Sequence, residues 1–244
     1  MNWKNATILI TGGASGIGFA LAKRFVVAGS KVIVCGRREE QLKVAKQECP
    51  ALFTLQADVS TAAGRIDLHQ RALAEFPSIN VLLNNAGIQN RLPPVAEPQL
   101  WERHEQEIAI NLHAPMHLSM LFLPQLLAQK ESAIMNVTSG LAFAPISFMP
   151  TYCATKAALH SFTLSLRHQL KNTTTKVIEI IPPAVNTDLG GKGLHTMGAP
   201  LDAFADHAIA QILKGELEFG YETSETRRLA AHTALDGFFQ SMNR

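Results

Sequence analysis

Cysteine is scarce in this chain of 244 residues. There are three thiols, Cys35, Cys49 and Cys153, an odd number with no paired metal-ligand spacing. Neither a disulfide framework nor a metal site is indicated; reduced thiols and a cytoplasmic location are the expectation. Charge of one sign is scarce too. Lysine and arginine number 22 against 20 acidic residues, a net charge of +2, too small to point to nucleic acid or an anionic membrane as the main partner. Long hydrophobic runs are missing: the most apolar stretch, His117 to Ala128, is too short to span a bilayer and contains Pro124. No membrane insertion is expected. The opening Met1-Asn2-Trp3-Lys4-Asn5 runs straight into a strand-like segment, without the charged leader and apolar core of a secretory signal. Linkers, composition breaks and internal repeats are absent as well, so one domain is expected over residues 1–244.

What the chain does have is a regular alternation. Ala6–Thr11, Lys31–Cys35, Leu52–Ala57, Asn80–Asn84, Ala133–Thr138 and Lys176–Ile181 are near-continuously apolar, which suits strands of a parallel sheet covered on both faces. Between them, Gly16–Ala28, Glu39–Glu48, Thr61–Phe76, Gln99–Gln129 and Pro150–Lys171 are helix-compatible. Alternating strands and helices imply right-handed crossovers and an α/β fold, a doubly wound parallel sheet with helices on both faces. The last third is less regular. Residues 184–200 hold four glycines and little strand or helix signal, which marks a functional or disordered loop. Asp202–Gly215 then reads as a helix, Leu217–Tyr221 as a short strand, and Thr223 to Asn243 as a surface helix.

Two places carry cofactor chemistry. The first strand runs into Thr11-Gly12-Gly13-Ala14-Ser15-Gly16-Ile17-Gly18 and then a helix. Glycines in a βα turn let backbone N–H groups approach a phosphate at the positive helix end. The second strand ends Cys35-Gly36-Arg37-Arg38, with no carboxylate at its tip. An acid there would accept from a ribose 2′-hydroxyl, whereas arginine accommodates a 2′-phosphate. NADP(H) is therefore preferred, with NAD(H) as the lesser alternative; the bland rival is that Arg37 and Arg38 decorate a surface turn.

A third place carries proton chemistry. Tyr152 and Lys156 are one helical turn apart and so share a face. The lysine charge is expected to favour the phenolate of a tyrosine whose ordinary pKa is about 10. Ser139, closing the run Ala133–Thr138, could hydrogen-bond an oxygen that meets the tyrosine. Alone, Tyr-x-x-x-Lys is common on helix surfaces.

Taken together, Thr11-Gly12-x-x-x-Gly16-x-Gly18, Asn84-Asn85-Ala86-Gly87, Ser139 and Tyr152-x-x-x-Lys156 resemble the short-chain dehydrogenase/reductase family, in its compact Rossmann-type branch, over essentially the whole chain. The resemblance implies roles residue by residue. Gly12, Ser15 and Ile17, with Gly18 in the same turn, would contact the adenosine ribose and pyrophosphate. Asp58 would bind the adenine amino group beside Val59, and Asn85, Ala86 and Gly87 would flank the ribose. Asn111 would hold a helix bend and a water that links Lys156 to solvent. Ser139 would orient the substrate oxygen, Tyr152 would move the proton, and Lys156 would bind the nicotinamide ribose while lowering the tyrosine pKa. Val185 and Thr187 would bind the carboxamide. Asp58 as a helix cap and Asn111 as an ordinary polar helix residue remain the rivals.

The stretch Ile181-Pro182-Pro183-Ala184-Val185-Asn186-Thr187-Asp188 has Pro183 where the family has glycine, which removes an N–H and stiffens the start of the substrate loop. With Leu189-Gly190-Gly191 it is similar to the DltE-like subgroup. Phe143, Ile146, Phe148, Met149, Leu189 and Met197 suggest a mainly apolar pocket; Lys192 and His195 could recognise a polar or anionic group but are expected to be solvated loop side chains. Cys153 is expected to be a packed structural thiol. The implied activity is hydride transfer between nicotinamide and a small carbonyl or secondary alcohol. The rival is a non-catalytic, dinucleotide-binding redox sensor, against which the intact Ser139, Tyr152 and Lys156 set argues. Self-association as a dimer or tetramer is implied through Gln99–Gln129 and Pro150–Lys171.

Overall fold

In the computed structural model the apolar runs form one seven-stranded sheet: β1 (Thr7–Thr11), β2 (Lys31–Gly36), β3 (Phe53–Gln56), β4 (Val81–Asn84), β5 (Ser132–Val137), β6 (Thr175–Ile181) and β7 (Glu218–Gly220). All six pairings are parallel, in the order β3-β2-β1-β4-β5-β6-β7. The structure describes every residue except 92–94, 96, 99, 192, 195 and 244, and of His232 the backbone alone.

Side chains on a strand alternate between faces, and that alternation sorts the core into two layers. Leu9 pairs in register with Ile33 and Leu82, Leu82 with Ile134, and Ile134 with Val177. This row is buried under α3 (Ala62–Glu75), α5 (Ala114–Leu127) and α6 (Pro150–Gln169), among Leu68, Phe122 and Leu166. Ile8, Ile10, Val32 and Val34 point the other way, into Leu21, Phe25, Leu42 and Phe204 of α1 (Gly16–Val27), α2 (Glu39–Glu48) and α7 (Leu201–Lys214). Both faces need apolar residues, which is why the strands lack alternation in sequence. Phe25, Phe122 and Phe204 are fully buried; truncating any one to alanine removes packing on the order of 3–5 kcal/mol.

Two expected helices are not single. Gln99–Gln129 resolves into α4 (Trp101–Ile108), a π-helical turn over Ala109–His113, and α5; Gln99 itself lies outside the described residues. Thr223–Asn243 divides into α8 (Thr223–Leu229) and α9 (His232–Met242), because Ala230 and Ala231 are extended.

The strand order reverses between β1 and β4, so their connections leave in opposite directions and open a crevice at the C-terminal edge of the sheet. Among the described residues no helix is long and apolar enough to cross a membrane, and no group of three or more His, Cys, Asp or Glu could hold a metal ion.

Candidate active site

The crevice is a cleft of about 1090 Å³ that runs from the tip of β2 to the start of α6. Gly12, Ser15, Ile17, Arg37, Asp58, Val59, Asn85, Ala86, Gly87, Ser139, Tyr152, Lys156, Val185 and Thr187 all line it. Gly18 and Asn111 stand just behind the wall.

At the glycine turn, Gly12 adopts φ 64° and its N–H donates to the Cys35 carbonyl at 2.8 Å. Ser15 precedes α1 in extended conformation but gives it no side-chain cap, leaving the first-turn amides to the cleft. Gly18 is required by close approach: a Cβ there would lie 2.3 Å from Asn85 Nδ2 and 2.5 Å from the Gly12 carbonyl oxygen. Asn85 Nδ2 donates to the carbonyls of Thr11 and Gly12 at 3.0 and 3.1 Å. The Thr11 hydroxyl accepts the N–H groups of both Asn85 and Ala86 at 3.0 Å. Thr11 thus clamps the end of β4 to the glycine turn, a role that spacing alone did not show.

At the β2 tip Arg37 and Arg38 are exposed on the cleft rim, while Glu39 and Glu40 turn to Lys43 on α2, each at 3.0 Å. Asp58 is no helix cap. Thr61 caps α3 by accepting from Gly64 N, and Asp58 accepts from Ser60 N at 2.9 Å. Burial would raise the Asp58 carboxyl, but the Ser60 hydrogen bonds and the Arg37 charge outweigh it and hold it below its ordinary value.

At the other end, β5 delivers Ser139, whose Oγ accepts from Leu141 N at 3.1 Å. Tyr152 and Lys156 are buried on one face of α6, and Lys156 Nζ donates to the Val137 carbonyl at 2.8 Å. That ammonium lies 5.7 Å from the centre of the Tyr152 ring. Burial raises the Tyr152 phenol above its ordinary value, with Ser139 working the other way and the Cys153 and Glu107 charges adding to the rise. The expected depression by Lys156 is not what sets the direction here: desolvation dominates, and Lys156, itself lowered by burial, loses its charge before the phenol titrates. The same burial lowers Lys156 to about 8, opposed by Glu107. Cys153 is packed: burial raises its thiol, which sits against the backbone of Ile146.

Asn111 falls in the π turn, so it is not an ordinary helix residue. Its Oδ1 accepts from Ile88 N at 2.9 Å and its Nδ2 donates to the Ile88 carbonyl at 2.8 Å. The extra residue in the turn swings this amide toward the segment after β4 that carries Gly87 and Ile88. One turn earlier Glu107 is also buried, with a carboxyl raised to about 6 by desolvation despite an Asn90 hydrogen bond and the Lys156 charge. Its position four residues before Asn111 was the only available signal for it.

Of the apolar pocket residues, Ile146, Phe148, Met149 and Leu189 line the cleft. Phe143 and Met197 do not: Phe143 turns onto His160, ring centres 4.6 Å apart, and Met197 is 97% exposed. Lys192 and His195 lie outside the described residues. The 184–200 loop closes on itself, with Ala199 N donating to the Ala184 carbonyl at 2.8 Å and Asn186 N to the Ala199 carbonyl at 2.9 Å.

This constellation can be set beside known proteins. The family described as short chain dehydrogenase matches residues 6–197. The chain belongs to the short-chain dehydrogenase/reductase family. Within this family it is of the DltE-like type: it is 45% identical to "Uncharacterized oxidoreductase DltE" of Bacillus subtilis, over 100% of this chain and 98% of that one. It is 34% identical to "NADP-dependent 3-hydroxy acid dehydrogenase YdfG" of Salmonella typhi, over 73% and 72% of the two chains. Among solved structures it is similar to a short-chain dehydrogenase from Sphingobium yanoikuyae in complex with NADPH, with 29% identity, TM-score 0.82 and coverage of 97% and 94%. As a short-chain dehydrogenase/reductase, the protein is an NAD(P)-dependent oxidoreductase. The family acts on small molecules and is generally oligomeric.

Proposed function

We propose that this chain is an NADP(H)-dependent oxidoreductase of a carbonyl or secondary-alcohol substrate, with Tyr152 as general acid and base. One observation carries the reading: Ser139 from β5 and Tyr152 and Lys156 from α6 converge in the cleft that also holds the glycine turn and Arg37. The residues fit the cofactor. Gly12 and Gly18 let the turn pack tightly on Asn85 and Ala86 while Ser15 and Ile17 line the cleft toward the pyrophosphate, Arg37 offers a guanidinium to a 2′-phosphate, and Asp58 stands ionised for an amino group. Bound there, the nicotinamide supplies hydride donor and acceptor chemistry.

The protein's own part is proton handling. Ser139 orients the substrate oxygen. Tyr152, kept protonated by burial, donates to that oxygen in reduction and receives the proton back in oxidation. Lys156 holds a positive charge beneath the tyrosine and, with a water at Asn111, refills it. Residues 184–200 form the substrate loop, and Val185 and Thr187 hold the carboxamide. The NADPH-bound structural relative and the NADP-dependent named relative support the phosphate assignment. Self-association through α4 and α6 is supported by an apolar groove of about 750 Å³ between them, walled by Trp101, Ile108, Leu112 and Ala158. A cytoplasmic site of action agrees with the reduced thiols.

The test is NADPH oxidation with a ketone panel by wild type and Tyr152→Phe. The variant should bind NADPH normally and lose roughly 10²–10⁴-fold in carbonyl reduction; undiminished reduction would refute the proton role.

A further inference from the structure

The segment after β7 is tied down firmly. Gly220 N donates to Glu225 Oε2 at 2.7 Å and Tyr221 N to Ser224 Oγ at 2.9 Å. The buried Ser224 hydroxyl donates to the carbonyl of Ile181, the last residue of β6, at 2.6 Å. Glu222 turns the chain with φ 48°, the one non-glycine positive φ among the described residues. These ties press α8 onto Gly140, the residue after Ser139. A Cβ on Gly140 would lie 2.9 Å from Ser224 Cβ and 3.5 Å from Arg227 Nη1. Arg227, one turn past Ser224, is thus delivered to the cleft wall beyond Ser139. The strand order puts it at the opposite end from Arg37.

Its neighbour shows what is unusual. Arg228 is paired with Glu225 at 2.6 Å and Glu218 at 3.4 Å, and Arg167 takes the other oxygen of Glu218 at 2.7 Å. The Arg227 side chain makes no hydrogen bond or ion pair among the described residues, and burial alone acts on its guanidinium, lowering its pKa. The nearby cleft residues Thr223, Leu141, Ile146 and Met242 carry no charge. A half-buried guanidinium without a counter-charge is costly to hold. Its planar fork matches a carboxylate.

We infer that Arg227 is the substrate anchor, binding a carboxylate on a molecule whose carbonyl or hydroxyl group sits at Ser139 and Tyr152. The inference rests on the proposed oxidoreductase reading for the position of the reacting group. A lone guanidinium on this wall suits a single carboxylate rather than a doubly charged phosphate.

Two arms separate the claims. In the first, calorimetry follows pentanoate binding to the NADP⁺-loaded protein, with pentanamide and propyl phosphate as comparators. Pentanoate should bind at least about tenfold more weakly to Arg227→Gln, with Arg227→Lys between, while pentanamide is indifferent. In the second, 2-, 3- and 4-oxopentanoate are compared with their methyl esters as NADPH-dependent substrates. For the best acid, Arg227→Gln should raise KM about 10- to 100-fold with kcat changed less, and leave the ester unmoved. Equal handling of acid and ester by wild type, equal loss of both in the variant, or tighter binding of propyl phosphate than pentanoate overturns the anchor. Should no oxopentanoate turn over while pentanoate binding still depends on Arg227, the anchor stands and the proposed placement of the reacting group at Ser139 and Tyr152 falls. Pentanoate binding indifferent to Arg227 overturns the anchor whatever the turnover.

Discussion

Glu107 Oε1 accepts the backbone N–H of Asn90 at 2.9 Å, and its Oε2 has no partner among the described residues although the side chain is only 1% exposed. Desolvation raises this carboxyl to about 6, with Lys156 opposing the rise, and the Glu107 charge in turn raises both Tyr152 and Lys156. Glu107→Gln keeps an acceptor for Asn90 but removes the charge. Both Tyr152 and Lys156 should then titrate lower, so the basic limb of the kcat/KM–pH profile should move to lower pH. The optimum rate should fall far less than in Tyr152→Phe. An unmoved basic limb would show that Glu107 is electrically silent.

Lys156 gives a stability prediction of definite sign. Its pKa falls from 10.5 to about 8 on burial, so between those values the unfolded chain binds more protons than the folded one. Stability from this group therefore rises with pH across that window, and below it the buried ammonium costs on the order of 3 kcal/mol at about 1.4 kcal/mol per unit. Lys156→Met loses the hydrogen bond to Val137 but also this cost. At pH 7 it should be more stable than wild type by about 1–3 kcal/mol in urea unfolding, with the gap closing toward pH 10. A gap independent of pH would mean the ammonium is not desolvated as described.

Arg37 should decide between the two dinucleotides. It is exposed and carries no acid at the strand tip, so a 2′-phosphate gains a charge-assisted contact there. In Arg37→Ala the NADPH/NADH efficiency ratio should fall roughly tenfold or more, and the effect should shrink in high salt. An unchanged ratio rules the contact out.

Gly18→Ala tests the cradle. The new Cβ meets the Gly12 carbonyl at 2.5 Å, a backbone atom that cannot give way cheaply. Overpacking of this kind costs about 1–3 kcal/mol, so the melting temperature and NADPH affinity, followed by fluorescence titration, should fall together. A variant that melts like wild type and binds NADPH as tightly would show that the turn accommodates a side chain.

Much of the sheet was legible because each strand is a local apolar run whose two faces are both covered. β1, β2 and β6 begin and end within a residue of the runs that announced them. The long segment Gln99–Gln129 was read as one helix because a π turn at Ala109–His113 changes hydrogen bonding without interrupting helical composition. Phe143 was placed in the pocket on proximity in sequence to Ser139, yet the 3₁₀ turn Gly140–Ala142 rotates it toward His160. The direction of the Tyr152 shift has a different origin: a one-turn spacing to Lys156 says nothing of how deeply both are desolvated, and desolvation dominates here.

By itself the sequence determined the parallel sheet, the glycine turn and the order in which Ser139, Tyr152 and Lys156 are presented, since these depend on periodicity and on residues close along the chain. Only the tertiary structure placed Glu107 behind the Tyr152–Lys156 face and Arg227 beside Gly140. Those two charges come from helices far in sequence from Ser139, Tyr152 and Lys156, and their chemistry is set by burial and, among the described residues, by an unpartnered Glu107 Oε2 and Arg227 guanidinium.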